Sequence, residues 1–349
     1  MNKTVKKLIL GYSDWAYHSR SKKLALQTLK SIEGVKGKTD RKLIELSDQY
    51  AADVLGWKGY APWLYVYSAL NQEFKEGWMP DTYFGKVVVP KLKGNYGTIA
   101  DYNSLTGRLF ESSNFPTCAY YVNGLWLSPD YRILSCEEVL ETALLDSAEF
   151  VYKTDKSRRG LGVHFVKEGD LDIKKLEKMG NGVLQKYINQ HSLFSEIMPN
   201  SVATLRITSA ISSVGIVSIR ACFLRVGRTA DPYVKSSSHL RIPVNIYNGS
   251  FSNFGYTTDW VPIESHPDTN FIFEGNKIPE FDSCKETVRQ LHQRIPFART
   301  VGWDVIVDIN DKVQVMEWNG SHHDVKFTEA TQGPSFSDFK WENLWKETD

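Results

Sequence analysis

The sequence predicts an α+β protein, with a mainly helical N-terminal region followed by lobes of short strands and isolated helices. Three observations carry this. Apolar residues recur at helical spacing through the first eighty positions, and the stretch from Phe150 to Leu224 reads as short β-rich runs between polar turns. Strands and helices also mix there without the regular βαβ alternation of a doubly wound sheet. The expected divisions are 1–80 for the helical region, 81–149 for a first lobe and 150–349 for the lobes that follow.

Leu24, Leu26, Leu29 and Ile32 precede Gly34, and Leu43, Ile44, Leu46, Tyr50 and Val54 precede Gly56, so each set reads as a helix closed by glycine. A third helical segment, Trp63 to Phe74, is aromatic on one side. It has no sustained basic stripe, which makes it a packing surface rather than a membrane face. After Pro80, Val87-Val88-Val89 reads as a short strand ended by Pro90, and Leu105 to Phe110 begins a helix that stops before Pro116. Further on, Phe150 to Lys153, Gly162 to Val166 and Val183 to Ile188 read as strands, with a charged helix from Leu171 to Lys178 before the last of them. Ala203 to Ala210 and Gly215 to Phe223 follow as strands.

Composition excludes several classes of function. The 349 residues hold 42 Lys and Arg against 41 Asp and Glu, so no bulk field draws the chain to nucleic acid or an anionic membrane, and any anion site must be built locally. No basic stripe interleaved with aromatics supports nucleic-acid binding. Cys118, Cys136, Cys222 and Cys284 are scattered without CxxC pairing, as expected of reduced thiols in a cytoplasmic protein. Leu8-Ile9-Leu10 is too short for a signal-peptide core, and no run nears the roughly 18 apolar residues of a membrane span. The helical first eighty residues leave substrate binding, an assembly partner and a peripheral membrane surface all open.

Two segments carry chemistry. Near the C-terminus, Val305 to Ile309 and Val313 to Met316 are β-rich around the turn Asn310-Asp311-Lys312, so the hairpin brings Asp304 near Glu317 and Asn319. Glu317 and Asn319 are two apart and share a face. Such oxygen donors suit Mg²⁺, although the hairpin alone reads equally well as a surface hairpin with polar ends. The second segment, Lys153 to Gly162, joins two strands through a turn with Ser157, Arg158, Arg159, Gly160 and Gly162. Its small residues let backbone N–H groups approach phosphate oxygens with Lys153 as a point charge; a solvated basic turn is the alternative. Gly34 to Thr39 imitates a phosphate loop but has Ile32 where a glycine is required and a helix where a strand should precede it. His322-His323-Asp324 lacks a further spaced zinc ligand and reads as a loop lining the site.

Taken in order, these features resemble the ATP-grasp fold, in which two α+β lobes grip ATP. Phe150 to Lys153, the glycine-bearing turn, Gln185-Lys186-Tyr187-Ile188 about thirty residues later, and the Asp304, Glu317, Asn319 set carry the resemblance over roughly residues 100–335. The thirteen-residue interval from Asp304 to Glu317 is similar to that of D-alanine–D-alanine ligases. Leu184 to His191, Ala203 to Thr208, His266-Pro267-Asp268-Thr269 and Ile278-Pro279 resemble more closely the sugar-transfer-associated ATP-grasp proteins, related to α-L-glutamate ligases and encoded with surface-polysaccharide genes.

The resemblance implies roles for named residues. Lys153 would hold nucleotide phosphates under a loop from Ser157 through Gly160 to Gly162. Lys186, Tyr187 and Ile188 would form the hinge that reads the adenine edge, with Gln185 adding a contact and Asn189 or His191 reaching the ribose. Asp304, Glu317 and Asn319 would bind one or two Mg²⁺. Arg206 and Arg225, at strand positions, would stabilise an acyl phosphate, although either residue type in such a place also serves as a surface ion pair. Where relatives carry a lysine before the phosphate lysine, this chain offers Arg108. The stretch from Asp231 to Pro243 lacks an expected glycine pair and presents Tyr233, Lys235 and His239 instead, which suggests a changed acceptor pocket. The expected activity is an ATP-dependent ligase joining a carboxylate, such as a uronate, to an amine in capsule or O-antigen polysaccharide synthesis. A sugar or small-molecule kinase using the same cleft, and a non-catalytic adaptor of polysaccharide assembly, are the alternatives.

Overall fold

A computed structural model describes residues 3–144, 147–157, 161–231, 233–235 and 237–347, with side chains of the first helix described from residue 12. The chain forms two compact units. One comprises Met1–Leu92, Tyr256–Ile263 and Asp324–Asp349; the other comprises Lys93–Gly255 and Glu264–His323. Among the described residues no helix is long and apolar enough to cross a membrane.

The first unit is helical, as its periodicity predicts. Helices span Lys3–Lys36, Arg41–Asp53 and Ala61–Asn71, the second capped by Asp40, whose carboxylate accepts from the Lys42 N–H at 2.8 Å. The third is buried over nearly its whole circumference, with Trp63 against Trp260 at 6.2 Å and Tyr67 against Trp78 at 5.6 Å between ring centroids. The C-terminal segment closes the unit through Glu329, a fully buried carboxylate that accepts from the Met79 N–H at 2.8 Å and the Ser335 N–H at 2.9 Å.

Val87, Val88 and Val89 are not a strand. They lie in a helical run made of Asp81–Tyr83, a π-helical turn Phe84–Val88, and Val89–Lys93. Phe84 and Val88 are four apart and both fully buried, and that shared apolar face outweighs the weak β preference of three valines. The wide turn falls directly before Pro90, whose missing N–H and ring disrupt regular α pairing.

The second unit is built on two sheets. In the first, β1 (Thr117–Val122), β2 (Leu125–Leu127), β3 (Ile133–Leu134), β4 (Glu149–Thr154), β5 (Val163–Lys167) and β6 (Gly182–Lys186) run in the order β3-β2-β1-β6-β4-β5. One face packs Phe150, Tyr152, Leu184 and Cys118 against Val139, Ala143, Ile173 and Leu176 of the helices Cys136–Leu144 and Ile173–Met179. Because side chains alternate along a strand, Val151, Lys153, Val183 and Gln185 project from the other face.

The chain continues through β7 (Thr204–Ile211), β8 (Val217–Val226), β9 (Leu240–Pro243), two short strands β10 (Gly255–Tyr256) and β11 (Pro262–Ile263), β12 (Thr300–Val307) and β13 (Val313–Asn319). The longer strands lie in the order β9-β8-β7-β12-β13, each antiparallel to its neighbour. The amphipathic helix Phe281–Gln293 covers one face, burying Cys284, Val288, Leu291 and His292. Trp303 lies 6.2 Å from the His292 ring on that side, so its neighbour Asp304 points to the opposite face.

Candidate active site

Asp304 lies directly opposite Arg206 on β7 and directly opposite Glu317 on β13, with an irregularity in the β12–β13 ladder immediately after it. Its carboxylate is 3% exposed and fully engaged. Arg206 donates from Nε to Oδ1 and from Nη2 to Oδ2 at 3.0 Å, and Arg225 Nη2 lies 2.7 Å from Oδ2. Arg206 is fixed from its other side by Nη1 donating to the His323 carbonyl at 3.1 Å. Burial pushes the Asp304 carboxyl up, and the two guanidinium groups more than reverse this, holding it well below the usual carboxylate range.

Glu317 is exposed at the surface, yet protein crowds around its carboxyl. That desolvation, with Asp304 beside it, raises its pKa, while Lys153 and Arg206 pull the other way. Asn319 donates weakly from Nδ2 to the Gly302 carbonyl at 3.3 Å and to Glu317 Oε1 at 3.4 Å. Lys153, at the end of β4, reaches across from the other sheet and donates from Nζ to the Met316 carbonyl at 2.8 Å. Burial lowers its pKa, against the pull of Glu317 and Asp304. Three cations and two carboxylates, with one carboxamide, therefore share one end of the β12–β13 hairpin.

The turn after β4 is closed by contacts only glycine allows at position 162. A Cβ there would lie 2.1 Å from Thr154 Oγ1 and 2.3 Å from Ser157 Cβ, and Ser157 Oγ donates to the Thr154 carbonyl at 2.8 Å. Gly160, with Arg158 and Arg159, lies outside the described residues.

The segment that the sequence reads as a hinge is held by backbone. The Lys186 N–H donates to the Pro116 carbonyl at 2.8 Å, the Tyr187 N–H to Glu149 at 2.9 Å, and the Ile309 N–H to Asn189 at 2.8 Å. Gln185 is buried on β6, opposite Val151 on one side and Thr117 on the other. Lys186, Tyr187, Ile188 and Arg108 line a cavity of about 830 Å³ with Tyr131 and Gln314. Lys153, Asp304, Glu317 and Asn319 are not in its wall. His191 caps the helix Ser192–Ile197, its Nδ1 accepting from the Leu193 N–H at 3.1 Å, and its Nε2 is 3.6 Å from Asp311.

His323, in the loop that the sequence reads as lining the site, supplies a carbonyl to Arg206 and a ring nitrogen 2.9 Å from Thr300 Oγ1. Other contributors were not legible in the sequence. Met316 receives Lys153 through its backbone. Phe165 on β5 stacks on Tyr233 at 5.9 Å and meets Tyr187 edge-on at 6.2 Å. No local pattern marks a carbonyl as an acceptor; only the aromatic character of Phe165, half exposed on its strand, was available as a signal.

Glu317 and Asn319 present oxygens at the open end of the hairpin, and a dication beside Glu317 would favour its ionised form, which fits Mg²⁺. Asp304 places its two oxygens on guanidinium groups and also shares a side-chain hydrogen bond with Glu317. Among the described residues no group of three or more His, Cys, Asp or Glu is arranged to hold a metal.

The α+β layers, mostly antiparallel, are those of an ATP-grasp fold. Residues 173–340 match the family described as sugar-transfer associated ATP-grasp, in keeping with the motif order of the sequence. No curated protein matches the chain. Solved structures similar to it include a biotin carboxylase–β,γ-ATP complex from Campylobacter jejuni, with 11% identity and a TM-score of 0.47 over 93% of this chain and 69% of that one. An N5-carboxyaminoimidazole synthetase from Staphylococcus aureus complexed with ADP is 16% identical, TM-score 0.42, over 74% of this chain and 57% of that one. An L-amino acid ligase from Bacillus licheniformis is 11% identical, TM-score 0.39, over 82% and 54%. The chain spans about half the length of several such structures.

Proposed function

We propose that the protein is an ATP-dependent carboxylate–amine ligase that forms an amide through an acyl phosphate, acting on a sugar carboxylate in surface-polysaccharide synthesis. The observation that carries this reading is the meeting of Lys153 from one sheet with Glu317, Asn319 and the Asp304-held arginines from the other. In this reading Lys153 holds the γ-phosphate while a substrate carboxylate oxygen attacks its phosphorus and the bond to the ADP oxygen breaks. The amine then attacks the acyl carbon, phosphate departs, and a proton leaves the new amide nitrogen. Arg206 and Arg225 orient the acyl phosphate and stabilise its oxyanion. Glu317 and Asn319 would hold Mg²⁺, which supplies charge neutralisation on the transferring phosphoryl group. The hinge residues and Arg108 would take the nucleoside end, where a few polar groups orient a flat ligand. No protein nucleophile is required, because such catalysis is positioning and charge stabilisation.

The decisive experiment incubates the protein with Mg·ATP, candidate uronic acids and hydroxylamine. Hydroxamate formed in step with ADP supports the reading. A phosphorylated sugar produced with no amine dependence would replace it with the kinase alternative.

A further inference from the structure

We infer that the outward face of the first helix, Lys3–Lys36, is a docking surface for an anionic phospholipid bilayer, which it meets lying in the plane of the headgroups. The inference concerns the helical unit and is independent of the ligase reading. The helix has a packed side and an open one. Ala25, Thr28 and Ile32 are buried at helical spacing, and Ser21 accepts from Trp63 Nε1 at 2.9 Å. At about 3.6 residues per turn, Tyr12 falls on the side opposite Ala25. Tyr12 is 70% and Trp15 65% exposed, and their ring centroids lie 6.0 Å apart. Leu26, about three turns beyond Trp15, is exposed on the same side. Trp57, 47% exposed, meets His18 edge-on at 4.7 Å and widens the aromatic flank. In the sequence, Ile9, Leu8 and Val5 precede Tyr12 by three, four and seven positions, the spacing of a single helical stripe. Tyr and Trp have an apolar body and a polar edge, which suits the boundary between headgroups and acyl chains. Among the described residues no helix is long and apolar enough to cross a membrane, so the contact is peripheral.

Charge selects the partner. From Lys3 to Lys30 the sequence holds seven basic residues and one acidic residue, in a chain whose net charge is +1. The acidic residue, Asp14, is paired with Lys86. Arg20, Lys22 and Lys23 are exposed, and none of the three has a carboxylate partner among the described residues. Such a concentration of like charge opposes pairing with a second copy through this face and complements the negative potential of an anionic leaflet.

The test sediments the full chain with vesicles of phosphatidylcholine, with and without phosphatidylglycerol. Wild type is expected to bind the phosphatidylglycerol vesicles about tenfold or more tightly than phosphatidylcholine alone. That binding should weaken about tenfold or more between about 0.1 M and 1 M NaCl, as the Debye length falls from roughly 10 Å to 3 Å. Combining Tyr12→Ser with Trp15→Ser should weaken it by about tenfold, through the apolar area no longer buried. Combining Arg20→Gln, Lys22→Gln and Lys23→Gln should weaken it by about a hundredfold, at about fivefold per charge. Circular dichroism of both variants should match wild type, since every substituted side chain is exposed. Absence of binding to phosphatidylglycerol vesicles overturns the inference, as does binding that either variant leaves unchanged, because the contact then lies elsewhere. A concentration-dependent dimer in light scattering, abolished by the aromatic pair of substitutions and without vesicle binding, assigns the face to a second copy and overturns it too. Should the aromatic variant fail to fold, the charge variant and the salt series decide by the same outcomes. None of these results bears on the ligase reading, which the hydroxamate assay tests.

Discussion

At Asp304 a buried carboxylate is stable because two guanidinium groups meet it in good geometry, and removing one should be costly. Arg206→Met leaves Asp304 with Arg225 as its remaining cationic contact, and urea unfolding should register a loss of about 3 kcal/mol, within the range for breaking a buried ion pair. Lys153 plays a different part, since its ammonium donates only to a backbone carbonyl among its described hydrogen bonds. Lys153→Met should therefore lower kcat for ATP turnover by about 10²–10³-fold, the usual effect of removing one charge-stabilising donor, while circular dichroism stays native. The residue types at both places were readable in the sequence, because Lys153 ends an apolar run and Asp304 begins one. Their partners were not, because an arginine 98 positions away becomes a neighbour only through strand register.

Among the elements, β4 and β6 depend on a close approach. A Cβ at Gly182 would lie 2.3 Å from the Lys153 carbonyl oxygen and 3.1 Å from Thr154 Cα, and both of those atoms are backbone. Gly182→Ala must therefore push the two strands apart at the end that carries Lys153. Thermal denaturation should show a loss of about 1–3 kcal/mol, and the KM for ATP should rise even where the fold survives. Periodicity located most elements, as in the helix that the sequence places at Leu171 to Lys178 and that spans Ile173–Met179. It failed at Val87 to Val89, where three β-branched residues looked like a strand. Burial of Phe84 and Val88 on one helical face decided otherwise, and burial is a property of the surroundings rather than of the segment.

For the whole molecule, buried histidines set the acid limit. Burial pushes His292 down to about 4, and lowers His266 and His323 as well. A histidine whose folded pKa lies below its unfolded value of 6.5 binds more protons when unfolded, so stability is lost as pH falls from 6.5 towards 4. His292→Gln should flatten that part of the curve by about 3 kcal/mol, the gap of two to three pKa units converted to free energy, measured by chemical unfolding at pH 7, 5.5 and 4.5.

The sequence by itself determined the α+β class, the order of Lys153, the glycine turn, the Gln185 to Ile188 segment and the hairpin, and the placing of Glu317 beside Asn319. These are local properties, set by a period of two along strands, by turn chemistry and by the few residue types that suit phosphate and Mg²⁺. Tertiary structure alone decided that Asp304 would spend both oxygens on Arg206 and Arg225, that Lys153 would reach Met316, and that the C-terminal segment would bring Glu329 to Met79. Each of these joins residues more than seventy positions apart. Such pairs are chosen by register and burial across the whole unit, and no window of sequence contains both partners.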